Sequence, residues 1–295
     1  MLEASWEPHC TAAVNASSTE ELIAAFEKLV STAKINLSTP SSVVYAHDTR
    51  PTSGILAKAV ATGLAAMGAT IIDAGLKTTP QLHYLVKALN TQGTSQSYGE
   101  PTEEGYYAKL GKAYTTLVSK LSTASSSSEP MLVDCANGVG AVALQGLQKH
   151  IPTDLLPLKA QRTDTQSPGV LNNGCGADYV KTNQRLPAGY ERDASLKPGQ
   201  RMCSYDGDAD RLVYYYLRGP ASQPESFRLL DGDKIASLAA DYLVELVKQA
   251  GVEIQVGCVQ TAYANGSSTK YLQQRVPVTC VSSEVSAFLS KNYSH

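Results

Sequence analysis

Ser42-Val-Val-Tyr-Ala46 is a short run of β-forming residues that passes directly into the polar cluster His47-Asp-Thr-Arg50, and Pro51 opens the segment after it. Ile55, Val60, Leu64 and Met67 then recur at helical spacing as far as Gly68, before a second strand-like run, Ala69-Thr-Ile-Ile-Asp73. Strand, polar loop, helix and strand in that order predict a βαβ unit, in which a crossover helix covers a parallel sheet. The strand is read as buried, the four apolar positions as the inner face of the helix, and the fold class as α/β.

The same alternation extends in both directions. Upstream, Ser18-Thr-Glu-Glu21 has the spacing of a capping box, and Leu22, Ile23, Phe26, Leu29 and Val30 follow at helical period. Downstream, helices are predicted after Pro80 (Leu82, Leu85, Val86, Leu89) and over Tyr107 to Leu121, with a flexible loop at Asn90 to Pro101 between them. Ser122 to Pro130 contains four consecutive serines and reads as a linker, because small polar residues build no core. The plan then restarts with strand Met131 to Cys135, helix Val139 to His150, and a strand at Thr153 to Leu158 that Pro157 pushes towards a sheet edge. Strands Met202 to Tyr205 and Leu212 to Leu217 follow, then a helix carrying Ile235, Leu238, Tyr242, Leu243, Leu246 and Val247, then a strand at Glu253 to Gln260. Two α/β domains are expected, 1–125 and 126–280, with a divergent tail at 281–295.

Composition narrows the function. The chain has 295 residues, 43% of them hydrophobic and 18% charged, enough apolar surface for two cores. Twenty-five basic and twenty-seven acidic side chains balance to a net charge of −2 without blocks of like sign. Bulk attraction to nucleic acid or anionic lipid is therefore not expected. Met1-Leu-Glu-Ala-Ser-Trp-Glu-Pro-His-Cys10 has the acids and proline that a secretory leader lacks, and no run approaches eighteen apolar residues. The six cysteines are scattered, without a C-x-x-C pair, and read as reduced buried thiols of a cytoplasmic protein.

The chemistry concentrates in Ser204-Tyr-Asp-Gly-Asp-Ala-Asp-Arg211. Asp206, Asp208 and Asp210 occupy alternate positions, and in an extended segment alternate side chains share a face, so the three carboxylates can converge on one hard cation. All-oxygen ligands favour magnesium or calcium over zinc or copper. An EF-hand loop counted from Asp206 would need Gly and Glu where Arg211 and Leu217 stand, so that reading fails. A solvated acidic turn between two strands remains the competing interpretation. Arg211 is placed either to meet a phosphate oxygen or to balance the acidic cluster, and Arg50, at a strand end, either faces a ligand crevice or pairs with Asp48.

Asp206-Gly-Asp-Ala-Asp-Arg211 is similar to the magnesium loop of the α-D-phosphohexomutases. Further blocks resemble the eukaryotic phosphoacetylglucosamine mutase branch of that family: Thr78-Thr-Pro-Gln-Leu-His-Tyr84, Asp134-Cys-Ala-Asn-Gly138, Cys175-Gly-Ala-Asp-Tyr-Val180, Val213-Tyr-Tyr-Tyr216, Leu230-Asp-Gly-Asp-Lys-Ile-Ala236 and Gln260-Thr-Ala-Tyr-Ala-Asn-Gly-Ser-Ser268. The resemblance implies part of a first and most of a second three-layer α/β domain. It also implies magnesium on Asp206, Asp208 and Asp210, a phosphate near Arg211 and Arg50, and a hexosamine phosphate as the small-molecule partner. The family interconverts N-acetylglucosamine 6-phosphate and 1-phosphate, for UDP-N-acetylglucosamine synthesis, through a phosphoserine in an S-H-N-P loop. No S-H-N-P occurs in this chain, and the resemblance, continuous over about residues 1–280, breaks at both ends. An incomplete and inactive copy of the enzyme is expected, with a non-catalytic metal- and phosphosugar-binding or regulatory module as the alternative. A haloacid-dehalogenase phosphatase, which also sets D-x-D after a strand, is disfavoured because Asp210 stands where that family has Thr or Val.

Overall fold

The computed structural model describes residues 11–120, 129–254, 256–260 and 264–275. Cys10, Cys280, most of the expected linker and the tail at 281–295 lie outside the described residues. The chain divides into two units, Met1–Ser41 with Ala236–His295, and Ser42–Ile235.

In the first unit α1 (Thr19–Thr32) starts at the Ser18 cap, whose hydroxyl accepts the Glu21 N–H at 3.2 Å. The capping box closes one residue early, because the Glu21 carboxylate accepts from the N–H of Ser17 rather than of Ser18. Ala25 and Leu29 are its buried positions, while Ile23 and Phe26 are exposed.

The unit Ser42–Ile235 carries the expected βαβ element: β1 (Ser42–His47), α2 (Ser53–Ala66) and β2 (Thr70–Leu76), with β1 and β2 parallel. Burial differs from the sequence reading. β1 is half-buried, and Ile55, Val60 and Met67 are exposed, Met67 at 83%. Two paired strands offer a narrow platform, and α2 meets it with its smaller residues: Ala57, Ala61 and Leu64 are half-buried at i, i+4 and i+7.

Next come α3 (Thr79–Thr91) and α4 (Glu103–Lys120). Thr78 and Gln81 form a full capping box at the start of α3, and the buried Gln81 amide also donates to the Tyr107 hydroxyl at 2.8 Å, which ties that end of α3 to α4. The segment between these helices, expected to be flexible, is pinned: the Lys109 ammonium donates to the Tyr98 carbonyl at 2.5 Å and lies 3.2 Å from the centre of the Tyr98 ring.

A mixed five-stranded sheet follows, in the order β4-β3-β5-β6-β7. Its elements are β3 (Met131–Asp134), α5 (Gly140–Leu147), β4 (Leu158–Gln161), α6 (Gly176–Asn183), β5 (Arg201–Tyr205), β6 (Leu212–Leu217) and β7 (Phe227–Leu230). β4, β3 and β5 run parallel, whereas β5, β6 and β7 are antiparallel. β4 starts only after Pro157, because Thr153 to Leu155 form a turn, and it is the edge strand its proline called for. Alternation along β5 fills two cores: Met202 packs with Val180, Val213, Tyr215 and Leu217 on one face, and Cys203 with Val133, Cys135 and Leu144 on the other. Each such side chain taken from water stabilises the sheet by about 1.5–3 kcal/mol. The α/β class expected from sequence is thus borne out.

The remaining helices are α7 (Gly232–Gln249) and α8 (Gly266–Arg275). α7 buries Ala240 against Leu272 of α8, with Val244 beside them, and leaves Leu238, Tyr242 and Leu243 exposed. It has two apolar stripes, and the one that meets α8 carries the smaller residues Ala240 and Val244. Among the described residues of the strand expected at 253–260, Val259 alone makes a bridge. No helix among the described residues is long and apolar enough to cross a membrane.

Cys135, Cys175 and Cys203 are buried free thiols, as expected, whereas Cys258 is only half-buried. Burial pushes the thiols of Cys135 and Cys203 up to about 12 and that of Cys175 up to about 11, helped in each case by the negative charge of Asp134. Native protein at pH 8 is expected to leave all three unmodified by iodoacetamide while unfolded protein reacts at each, as peptide mapping by mass spectrometry will show. Their folded values are raised, so their contribution to stability is complete below the ordinary value of 9.0 and is lost as pH climbs from there towards 12. A denaturation midpoint independent of pH between 9 and 11 would contradict this.

Candidate metal centre

β5 and β6 form a hairpin whose last ladder pair is Tyr205 and Leu212, so the acidic run is its connection. The chain does not stay extended there. The N–H of Ala209 reaches the Asp206 carbonyl at 3.2 Å and Ala209 takes a left-handed φ of 55°, closing a turn that a small residue tolerates better than a branched one. The three carboxylates nevertheless converge: Asp206, Asp208 and Asp210 each offer an oxygen within 4.8 Å of the others. The convergence arises from this turn and not from the alternation of a strand. The three differ in exposure, Asp206 being buried, Asp208 half-buried and Asp210 exposed.

Arg211 is held within the cluster. Its N–H and Nε donate to the two oxygens of Asp206 at 3.1 and 2.9 Å, its terminal nitrogens grip both carboxylate oxygens of Asp178, and Asp210 lies 3.5 Å away. Burial works against the charged guanidinium, but the hydrogen bond to Asp178 and the fields of Asp206 and Asp178 outweigh it and raise Arg211 above its ordinary value. Arg50 pairs with Asp48 at 2.9 Å and reaches Asp208 at 3.9 Å. Asp48 holds that loop, accepting from the Arg50 N–H at 3.0 Å and from the Ser53 hydroxyl.

Thr79 and Asp178 were not singled out from the sequence. The Thr79 hydroxyl donates to the Asp208 carboxylate at 2.9 Å and its N–H to the Asp208 carbonyl at 3.3 Å, so the positive dipole end of α3 faces Asp208. Both residues stand inside the blocks Thr78 to Tyr84 and Cys175 to Val180, the first of which carried the local signal of a helix start and the second none. A polar helix start gives no sign from its own sequence of which loop it faces. Beside Asp208 lies a cavity of about 280 Å³ lined by His47, Asp48, Arg50, Lys77 and Thr78. Lys77 is tied to Glu103 at 2.8 Å. The arrangement can hold a hard cation on three carboxylates, with the cationic side chains of Arg50 and Lys77 at hand for an anion.

Family models match most of the chain: "Phosphoglucomutase/phosphomannomutase, alpha/beta/alpha domain I" over residues 10–96, "Phosphoacetylglucosamine mutase AMG1, domain II" over 98–213, and domain III of the same family over 231–294. Phosphoacetylglucosamine mutase 2 of Schizosaccharomyces pombe is 44% identical over 279 residues, which are 94% of this chain and 49% of that protein. The Homo sapiens phosphoacetylglucosamine mutase is 42% identical over 97% of this chain and 50% of its own length. A crystal structure of Aspergillus fumigatus N-acetylphosphoglucosamine mutase in complex with GlcNAc-6P and magnesium aligns with a TM-score of 0.75 at 40% identity, over 94% of this chain and 53% of the other. Another from the same organism, in complex with glucose 1,6-bisphosphate, reaches 0.80 at 42% identity, over 95% and 50%. The chain spans about half the length of the curated relatives it matches. It belongs to the phosphoacetylglucosamine mutase family of the phosphohexomutases.

Proposed function

We propose that this chain carries the magnesium-binding part of a phosphoacetylglucosamine mutase, an isomerase interconverting N-acetylglucosamine 6-phosphate and N-acetylglucosamine 1-phosphate for UDP-N-acetylglucosamine synthesis. The observation that carries this reading is the convergence of Asp206, Asp208 and Asp210 beside Arg50 and the start of α3. The donor set fits magnesium. Two oxygens on one magnesium lie at most about 4.2 Å apart, twice its bond length, and oxygens already within 4.8 Å close that gap by side-chain rotation. Bound there, the ion would neutralise phosphoryl oxygens during transfer. Around it, Arg211 restrains Asp206, Thr79 orients Asp208, and Arg50 stands free on one side to meet a phosphate in the adjoining cavity. Arg211 can meet that phosphate only by releasing Asp178. A cytoplasmic location suits the buried free thiols.

The test is calorimetric titration of the purified chain with magnesium, where weak saturable binding at one site is expected and no heat of binding would end the reading. A second reading, a non-catalytic module that binds metal and phosphosugar, is favoured by the cavity beside Asp208 that Arg50 and Lys77 line. It requires N-acetylglucosamine 6-phosphate to bind in the presence of magnesium without turnover. The division of the chain near residue 125 belongs to the same proposal, and limited proteolysis should cut first around 122–129. First cleavage inside α7 would argue against it.

A further inference from the structure

Asp134, the last residue of β3, is fully buried and takes no part in the site described above. Its carboxylate accepts three hydrogen bonds: from the Ala136 N–H at 3.0 Å, the Gly176 N–H at 2.8 Å and the Ser204 hydroxyl at 2.8 Å. The nearest cation, Arg162, has its Nε 3.8 Å away, beyond hydrogen-bond reach. Arg162 therefore balances the charge of the buried carboxylate without bonding it, while the three short hydrogen bonds fix its position and run to the elements that flank the metal loop.

Ser204 lies two residues before Asp206 on β5 and opposite Asp134 in the ladder, and its hydroxyl is shared with that of Tyr215 at 2.9 Å. Ala136 and Asn137 both take left-handed φ values, 54° and 55°, which non-glycine residues hold only when their surroundings impose them. That turn delivers the Val139 N–H to the Gly207 carbonyl at 3.2 Å, in the middle of the metal loop. The fit is tight, since a Cβ on Gly138 would stand 2.3 Å from the Gly207 carbonyl oxygen and one on Gly207 would stand 2.9 Å from the Asn172 amide. Asn172 is itself bonded to the Ala136 carbonyl at 2.9 Å. Loop 206–211 thus rests on a surface whose shape is set around one carboxylate.

We propose that Asp134 is the positioning residue of the metal loop: through Ser204 and the turn at 136–139 it fixes where Asp206, Asp208 and Asp210 are presented to the ion. The proposal rests on reading the loop as a magnesium site. Asp134→Asn keeps the volume but leaves one acceptor and adds an NH₂ that must face a donor, so at least one of the three bonds is lost. Supporting partners behind metal ligands are typically worth 10–100-fold in affinity. Calorimetry of the full chain with magnesium should show Asp134→Asn about 10-fold or more weaker than wild type, and Ser204→Ala, which removes one bond, about 3-fold weaker.

A purely structural role is separated by Leu217→Ala, a core variant at the end of β6 away from the loop, which lowers the metal-free melting temperature and is expected to bind magnesium as wild type does. If Asp134→Asn cannot be purified folded, Ser204→Ala decides. Unchanged affinity in whichever of the two is folded, or equal loss of affinity in Leu217→Ala, overturns the proposal. Absence of magnesium binding in the wild-type chain instead overturns the metal reading itself.

Discussion

Replacing Asp206, Asp208 and Asp210 together by alanine is expected to abolish magnesium binding by this chain, to below the detection of calorimetry. With the three carboxylates gone, the remaining acids beside the site, Asp48 and Asp178, are each held by an arginine, Arg50 and Arg211, whose charge opposes a cation. The same variant should not unfold the protein. Three carboxylates this close repel one another by on the order of 1–4 kcal/mol per pair, between the water and near-surface limits, and their removal relieves that cost. Against it stands the loss of the Asp206 partner for Arg211, which keeps Asp178. A melting temperature within a few degrees of wild type, no longer raised by magnesium, is the expected pattern. An unchanged binding isotherm would place the ion elsewhere in the chain.

Single variants should separate the roles. Asp208→Asn retains the Thr79 contact through its carbonyl oxygen but loses charge, so it weakens magnesium binding with little cost to stability. Asp206→Asn disturbs the buried pair with Arg211 and is expected to weaken both.

What the sequence disclosed followed from how local each signal was. Leu212 to Leu217 was legible to the residue because a hairpin strand with alternating burial carries its period in itself. The acidic triad was legible as residues, yet the reason for its convergence was not. Extended alternation would have sufficed, whereas the chain uses a left-handed turn at Ala209, an alanine with no signal of that conformation. Helix faces were read less well. On α2 Leu64 lies on the covered side as read, but Ile55, Val60 and Met67 do not and Ala57 and Ala61 take their place, because a helix buries the stripe for which it has a partner. β7, α6 and α8 went unread since their apolar content is low or short. Asp134 is an equally non-local case: its sequence context shows a strand end before a turn, and its importance depends on Ser204 and Gly176, seventy and forty-two positions away.

The second large expectation is that the 295-residue chain, expressed as given, shows no mutase turnover with magnesium and a sugar bisphosphate primer. In the family it resembles, phosphoryl transfer runs through a phosphoserine in an S-H-N-P loop, and that sequence does not occur in these 295 residues. A covalent nucleophile is not a minor element of such catalysis; where its removal has been measured in a hydrolase the loss in kcat was on the order of a million-fold. Ser53 is the hydroxyl nearest to a replacement, since it lines the cavity beside Asp208 and donates to Asp48. Its supposed base is compromised, because Asp48 is already paired with the Arg50 guanidinium at 2.9 Å and accepts the Arg50 N–H through the same oxygen that takes the Ser53 proton. A carboxylate so engaged draws a proton weakly from an alcohol. The assay is conversion of N-acetylglucosamine 6-phosphate by protein confirmed intact by mass and free of host mutase. Turnover above background that Ser53→Ala then eliminates would show that this serine had taken over the phosphoryl transfer, whereas turnover unaffected by Ser53→Ala would require a nucleophile elsewhere in the chain.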